Sequence, residues 1–357
     1  MFIRNAWYFA GFSGDIGPGL AEQRLLGEPV VFFRTPEGRA VALANRCPHR
    51  FAPLSMGRLV GARLQCAYHG IEFDSDGRCV HIPGQATIRE GTCVRAYPVE
   101  ERWGCVWIWM GDPTRASVES LIAEFRYLDE PGWTPVRGVK EVAANYQLIV
   151  DNLMDLTHIP FLHPNTLGNQ GGAQAAEAQA TTTVRGHRVA VERVVRDSEP
   201  APLFRRVKAL EGNVDRHQFS EFVPPCYVLI ELKVMPAGTQ DLDRGIEWRV
   251  FHIVTPVDAG HTRYHWAVVR HFAPGDEAVS RALWEGTNAT LEEDRAMIEA
   301  QARMLVGSSI EERTLFTRFD ANPTRVRKII RDIAERESQQ SHAHVGDGVH
   351  PPEPPPP

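Results

Sequence analysis

The chain has 357 residues, 43% hydrophobic and 24% charged, the make-up of an ordinary soluble globular protein long enough for two domains. Lys plus Arg number 39 against 45 Asp plus Glu, a net charge of −6 with no long basic run, which argues against nucleic acid as the main partner. No apolar run approaches the ~20 residues of a membrane helix, the opening Met1–Trp7 lacks the apolar stretch of a signal peptide, and six cysteines are too few for a disulfide scaffold. The expectation is a cytoplasmic protein, free of membrane, whose cysteines serve as thiols or metal ligands.

Residues 1–112 are dense in short strand-like runs. Val30-Val31-Phe32-Phe33, Val41-Ala42-Leu43, Arg63-Leu64-Gln65, Ile71-Glu72-Phe73 and Cys105–Met110 are separated by turn signals such as Glu37-Gly38 and Asp76-Gly77. They predict a small antiparallel β domain. Residues 113–337 open with a short helix at Ser117–Phe125 and a longer one at Ala143–Ile159. The apolar positions Tyr146, Ile149, Val150, Leu153 and Met154 suit a largely buried helix. Alternation returns over Thr181–Val195, Gln218–Met235 and Ile246–His271, with Pro224-Pro225 marking a bend or edge. Long helices follow at Asp276–Leu305 and Thr324–Glu337. The order predicts an α+β protein whose second domain is an antiparallel sheet covered by helices. Residues 338–357 end with six prolines in seven positions, which predicts a disordered or polyproline tail.

Two short motifs carry chemistry. Cys47-Pro48-His49 and Cys66-Ala67-Tyr68-His69 each offer one thiolate and one imidazole from a tight loop. Two such loops suit a [2Fe–2S] cluster with two thiolates on one iron and two imidazoles on the other, an arrangement that lifts the potential to about −150 to +300 mV. A Cys2His2 zinc site uses the same ligand types, although zinc fingers usually pair Cys with Cys and His with His. Four unrelated residues are the third reading. Cys79, Cys93, Cys105 and Cys226 match no ligand spacing and are read as packing residues.

The second motif is Asn152-Leu153-Met154-Asp155-Leu156-Thr157-His158-Ile159-Pro160-Phe161-Leu162-His163. Five steps of a regular α-helix turn two side chains about 140° apart, so His158 and His163 diverge unless the helix widens or breaks at Pro160. Two histidines need a carboxylate to complete the facial triad of non-haem Fe(II) sites. The late helix offers Glu292, Glu293 and Asp294, among which spacing alone does not choose; a solvated face is the alternative for Glu292 and Glu293.

Asn45–Ser55, Gln65–Phe73 and the loop Gly77–Gln85 resemble the Rieske motifs of ring-hydroxylating and demethylating oxygenases. Met1–Tyr8 and Val150–Leu156 extend the resemblance across Met1 to about Arg336. They match the aromatic O-demethylase branch, which includes vanillate demethylase, dicamba monooxygenase and toluenesulfonate methyl-monooxygenase. The proline tail lies outside it. The resemblance implies a Rieske [2Fe–2S] domain ligated by Cys47, His49, Cys66 and His69, and a catalytic domain holding Fe(II) through His158, His163 and Asp294. Asn152 and Asp155 would act at the active site, Asp155 bridging His158 to His69 of the adjacent chain in a head-to-tail homotrimer. Electrons would come from NAD(P)H through a separate reductase or ferredoxin. With O2 they would oxidise a small aromatic substrate, as in demethylation of a methoxylated aromatic acid with release of formaldehyde. Ring or methyl hydroxylation, cis-dihydroxylation by the same metals, and pure electron transfer are the alternatives. His252 resembles a substrate-contacting histidine, with a strand position facing the other side of the sheet as the competing reading. Trp284 is read as core packing in preference to pocket lining.

Overall fold

The computed structural model describes residues 1–168 and 179–345. Eleven short strands build the N-terminal part. They are β1 (Trp7–Phe12), β2 (Ala21–Leu25), β3 (Glu28–Arg34), β4 (Ala40–Ala44), β5 (Arg58–Val60), β6 (Arg63–Gln65), β7 (Glu72–Phe73), β8 (Cys79–His81), β9 (Ala96–Tyr97), β10 (Val99–Arg102) and β11 (Cys105–Trp109). They form three antiparallel sheets, ordered β1-β11-β10, β2-β3-β4-β9 and β5-β6-β7-β8. The last of these carries the loops of the Cys/His motifs, above a small core of Val31, Phe33, Leu43, Leu54, Leu64 and Phe73.

The second part is one seven-stranded antiparallel sheet. Its strands are β12 (Thr134–Val142), β13 (Ala180–Arg185), β14 (Arg188–Ser198), β15 (Val214–Val223), β16 (Tyr227–Pro236), β17 (Ile246–Pro256) and β18 (Thr262–Arg270). Strands β13 to β18 follow one another as a meander, and β12 closes the far edge beside β18. Side chains alternate between the two faces of a strand, and here both faces are covered. On β17, Phe251 points towards Phe125, which meets Trp107 and Tyr227 in edge or tilted ring contacts 4.8–5.7 Å apart. Its neighbours Trp248, Val250 and His252 line the pocket on the opposite, helix-covered face. Covering both faces explains the nearly continuous burial of β16 to β18.

The division near residue 112 is therefore one of chain and not of core. Sheet β1-β11-β10 packs on the large sheet, where the Tyr227 hydroxyl donates to the Trp7 carbonyl at 2.9 Å and the Thr255 hydroxyl donates to that of Phe9 at 3.2 Å. Each buried Phe or Trp there contributes about 1.5–3 kcal/mol of transfer free energy. Gly138 on β12 lies directly opposite Trp266 on β18. A Cβ at Gly138 would stand 2.3 Å from the buried indole, so Gly138→Ala is expected to cost about 1–3 kcal/mol, read as a lower denaturant midpoint at unchanged m-value.

Five helices complete the described fold: α1 (Tyr146–Met154), α2 (Ile159–Leu162), α3 (Pro202–Val207), α4 (Glu277–Met304) and α5 (Ala321–Val345). The segment expected as one helix over Ala143–Ile159 is interrupted at Asp155–His158, and Ser117–Phe125 forms 3-10 turns at Val118–Ser120 and Ala123–Leu128. Pro224-Pro225, joined by a cis bond, lies in the turn between β15 and β16. The last helix does not stop at Glu337 but continues to Val345, where the sequence suggested that a tail had already begun. Residues 346–357, with most of the expected proline tail, lie outside the described residues. Helix α5 is clamped to α1 by Arg327, whose Nε donates to Asp151 at 2.7 Å, and Glu337 accepts from the backbone N–H of Arg4 at 2.6 Å.

Candidate metal centres

Both Cys/His loops fold the same way. The Phe51 N–H donates to the Cys47 carbonyl at 2.8 Å and the Cys47 N–H to the Ala52 carbonyl at 2.9 Å; Gly70 donates to Cys66 at 3.0 Å and Cys66 to Ile71 at 2.8 Å. These turns bury both cysteines and leave His49 and His69 exposed, their rings 4.6 Å apart between centroids. Burial pushes the Cys47 thiol up, with Cys66 as a close neighbour. A single zinc ion would need all four donors converging on one point. Among the described residues no three of them offer ligand atoms within 4.8 Å of one another. Two buried thiols on one side and two imidazoles on the other fit a two-iron cluster, whose metals are separate.

The second centre forms where α1, α2 and α4 meet the sheet. The Asp155 carboxylate accepts from the Thr157 N–H at 2.8 Å and from the Thr157 hydroxyl. This local turn competes with the helix and ends α1. Pro160 sits in the first turn of α2, where its missing N–H costs nothing. The break lies in the turn before Pro160, where a proline ring and its missing N–H disrupt a continuous helix. His158 and His163 cap the two ends of α2, and their five-residue spacing brings their rings to 5.2 Å.

Asp294 completes the group from α4, on whose buried stripe Leu283, Leu291, Asp294 and Ile298 stand. Its Oδ1 lies 3.1 Å from His163 Nε2 and 3.7 Å from His158 Nε2, and ligand atoms of all three residues lie within 4.8 Å of one another. Asn152 donates to the same oxygen at 3.0 Å. Burial pushes the Asp294 carboxyl up, but the two imidazoles and Asn152 more than offset this and hold it below the usual carboxylate range. Burial holds His158 down, favouring the neutral imidazole that binds metal. Two imidazole nitrogens and one carboxylate on one face are the donor set of a non-haem Fe(II) site with open positions.

Each imidazole is also held from behind. His158 Nδ1 contacts the backbone carbonyl of Asp155, so within the chain the carboxylate of Asp155 does not make that contact and instead fixes Thr157. His163 Nδ1 lies 2.7 Å from Glu293 Oε2, which accepts from the Thr166 hydroxyl at 2.9 Å. Glu293 is therefore not a solvated-face residue. Glu292 is one, paired with Lys140 and Arg295. Removing the outer carboxylate is expected to loosen His163: Glu293→Gln should weaken iron binding about 10–100-fold in a chelator competition and leave the cluster absorption unchanged.

The triad opens onto an apolar pocket under the helices, lined by Leu153, Leu232, Trp248, Val250 and Val268 among others. His252 faces this pocket and not the other side of the sheet. Its Nδ1 engages the Tyr264 hydroxyl at 2.5 Å, and burial pulls the imidazole down to about 4, so it is neutral at pH 7. Sequence reading missed Arg216 and Gln218, which line the same pocket. Their signal was polar side chains at the alternate positions 216 and 218 of a strand whose same face holds Val214 and Phe222. Trp284 is 45% exposed and neither packs in the core nor lines the pocket. Of the remaining cysteines, Cys79, Cys105 and Cys226 are buried as expected, whereas Cys93 is exposed.

Comparison with known proteins places this geometry in a family. Residues 6–98 match the Rieske [2Fe-2S] domain and residues 142–336 the vanillate O-demethylase oxygenase C-terminal domain. The chain is 39% identical over 311 residues to a toluene-4-sulfonate monooxygenase system iron-sulfur subunit of Comamonas testosteroni, covering 85% of this chain and 89% of that one. It is 35% identical over 354 residues to a vanillate O-demethylase oxygenase subunit of a Pseudomonas strain, covering 96% and 98%. The crystal structure of dicamba monooxygenase bound to 3,6-dichlorosalicylic acid superposes with a TM-score of 0.87 at 30% identity, over 94% of this chain and 99% of that one; another structure of that enzyme holds non-haem iron. No helix among the described residues is long and apolar enough to cross a membrane. The chain belongs to the Rieske non-haem iron oxygenases with a vanillate O-demethylase-type C-terminal domain, and is an oxygenase component whose cofactors are a [2Fe–2S] cluster and a mononuclear iron.

Proposed function

We propose that this oxygenase component oxidises a methyl carbon on a small aromatic acid, as in O-demethylation of a methoxylated arene. Cys47, Cys66, His49 and His69 would hold the cluster, and His158, His163 and Asp294 the iron. The observation that carries the reading is the triad's position at the wall of a pocket whose surface is mostly aliphatic, with a few polar side chains such as Gln218 and His252 set into it, the character of a site for a small ring bearing a polar group. When bound, the iron supplies O2 activation with electrons relayed from the cluster. The chain's own residues hold the rest of the geometry. Asn152 fixes the Asp294 carboxylate, Glu293 orients His163, and the aliphatic walls exclude water from the reacting carbon. His252 presents a neutral imidazole for hydrogen bonding to the substrate. A hydroxylated methoxy carbon is a hemiacetal, which collapses to formaldehyde and a phenol.

Electrons would arrive from NAD(P)H through a separate reductase or ferredoxin, and the working unit would be a head-to-tail homotrimer in the cytoplasm. Supporting the trimer, His49 and His69 lie exposed beside exposed Phe51, Met56 and Tyr68, an apolar rim suited to cover by a neighbouring chain. Asp155 lines a separate, polar cavity with Arg193 and Thr182, where a neighbour's imidazole would complete the electron path. The test is a panel of methoxylated and methylated aromatic acids given to the reduced protein with O2. Formaldehyde or a benzylic alcohol is expected. A cis-dihydrodiol or ring-hydroxylated product from every member would replace the reading with ring oxidation.

A further inference from the structure

The pocket holds a cation that no carboxylate among the described residues neutralises. Arg216 sits on β15 with its side chain in the pocket wall. Its Nη1 donates to the Leu167 carbonyl at 2.9 Å, its Nε has no hydrogen-bond partner, and its guanidinium stacks 5.2 Å from the Phe204 ring centroid. No carboxylate among the described residues pairs with it. Burial, with Arg193 nearby, pulls Arg216 down to about 9, which leaves it charged at neutral pH. An unpaired guanidinium walled by apolar side chains is costly unless an anion enters with the ligand. Its planar fork matches carboxylate and sulfonate oxygens. Gln218 stands two residues along the same face and accepts from Arg193 Nη2 at 3.3 Å, so a second guanidinium lies behind the first.

His252, buried and held by the Tyr264 hydroxyl, offers a hydrogen bond and not a counter-charge. The sheet register also separates the two. Arg216 lies opposite Val234, and Val234 opposite Ile246, six residues before His252 on β17; at ~3.4 Å per residue that is a displacement of ~20 Å along the strands, before side-chain reach shortens it. The Asp294 charge acts on His252 and on Tyr264. The triad thus belongs to the His252 end of the pocket, and the unpaired cation to the other.

We propose that Arg216, with Gln218 beside it, binds the anionic group of the substrate and sets the ring so that this group points away from the His158–His163–Asp294 triad. The substrate class is an aromatic carboxylate or sulfonate whose oxidised substituent lies across the ring from the anion. This deepens the aromatic-acid reading given above and rests on it.

The test uses the full-length, metal-loaded protein. 4-Methoxybenzoate and its neutral counterpart 4-methoxybenzamide are titrated by calorimetry against wild type, Arg216→Gln and Arg216→Lys, with iron content and cluster absorption checked in each. Wild type should prefer the acid by more than about tenfold, and Arg216→Gln should weaken acid binding about 100-fold but amide binding by less than about threefold. Arg216→Lys should fall between, and 2-methoxybenzoate should bind wild type more weakly than the 4-isomer. If Arg216→Gln fails to load metals, the lysine variant and the wild-type acid-to-amide ratio decide. Equal losses for acid and amide, no loss for either, no preference in wild type, or binding of neither probe would each overturn the proposal. Formaldehyde is assayed separately: a wild type that prefers the acid at Arg216 but never releases formaldehyde retains the anion site and loses the demethylation reading.

Discussion

Asp294→Ala is expected to lower iron from three atoms per chain to two and to reduce substrate oxidation on the order of 1,000-fold, with the cluster spectrum unchanged. The reason is geometric. Among the described residues Asp294 alone brings a carboxylate oxygen to both imidazoles, 3.1 Å and 3.7 Å away, and it is buried, so water fills its place poorly. His158 and His163 alone offer two imidazole nitrogens, which neither balance the charge of a divalent ion nor complete a facial set. Iron analysis and the reduced-cluster EPR signal check this together. Retention of three irons with full activity would mean that another group supplies the third ligand. Loss of both centres would point to a folding defect instead, because Asp294 also anchors α4 to α1 through Asn152.

Asp155→Asn should leave both centres loaded and still slow turnover about 100-fold. The substitution keeps the size of the side chain and an oxygen that can hold Thr157, so the break between α1 and α2 should persist. Within the chain His158 rests on the backbone carbonyl of Asp155, which the substitution does not touch; iron affinity should therefore change little. What is lost is the carboxylate charge facing the polar cavity beside Arg193, where the proposed trimer brings in the neighbour's His69. Stopped-flow reoxidation of the reduced cluster, in the presence of O2 and substrate, reads that step directly. Unchanged reoxidation in a fully metallated variant would remove Asp155 from the electron path.

The parts legible in the sequence were those written in local spacing. The two Cys/His loops are each four residues or fewer of motif, and their fold follows from tight turns that the motif itself encodes. The antiparallel sheet was legible from alternation, but Thr181–Val195 and Ile246–His271 are each hairpins, with turns at Gly186 and at Asp258–Gly260. The helix break at Asp155 was missed because the apolar pattern runs through it, while the turn that stops the helix depends on one carboxylate choosing Thr157 over the next helical turn. Glu293 reads as a surface acid in the sequence because its partner His163 lies 130 residues away in the chain; no local pattern records such a pairing. Asp294 did carry a local signal that went unused, an acid in register with Leu291 and Ile298 on the buried stripe of α4. Arg216 carries the same kind of signal in a strand: a charge at an inward position needs a partner, and none of the described carboxylates pairs with it.

Oxidation of a methyl carbon at the His158–His163–Asp294 centre is the central claim, and a single turnover under 18O2 tests it most directly. Protein reduced anaerobically and mixed with a methoxylated aromatic acid and 18O2 should yield formaldehyde and phenol in equal amounts, with the phenol oxygen unlabelled because the aryl–oxygen bond is never broken. A phenol carrying 18O, or a dihydroxylated ring with the methoxy group intact, would contradict the account.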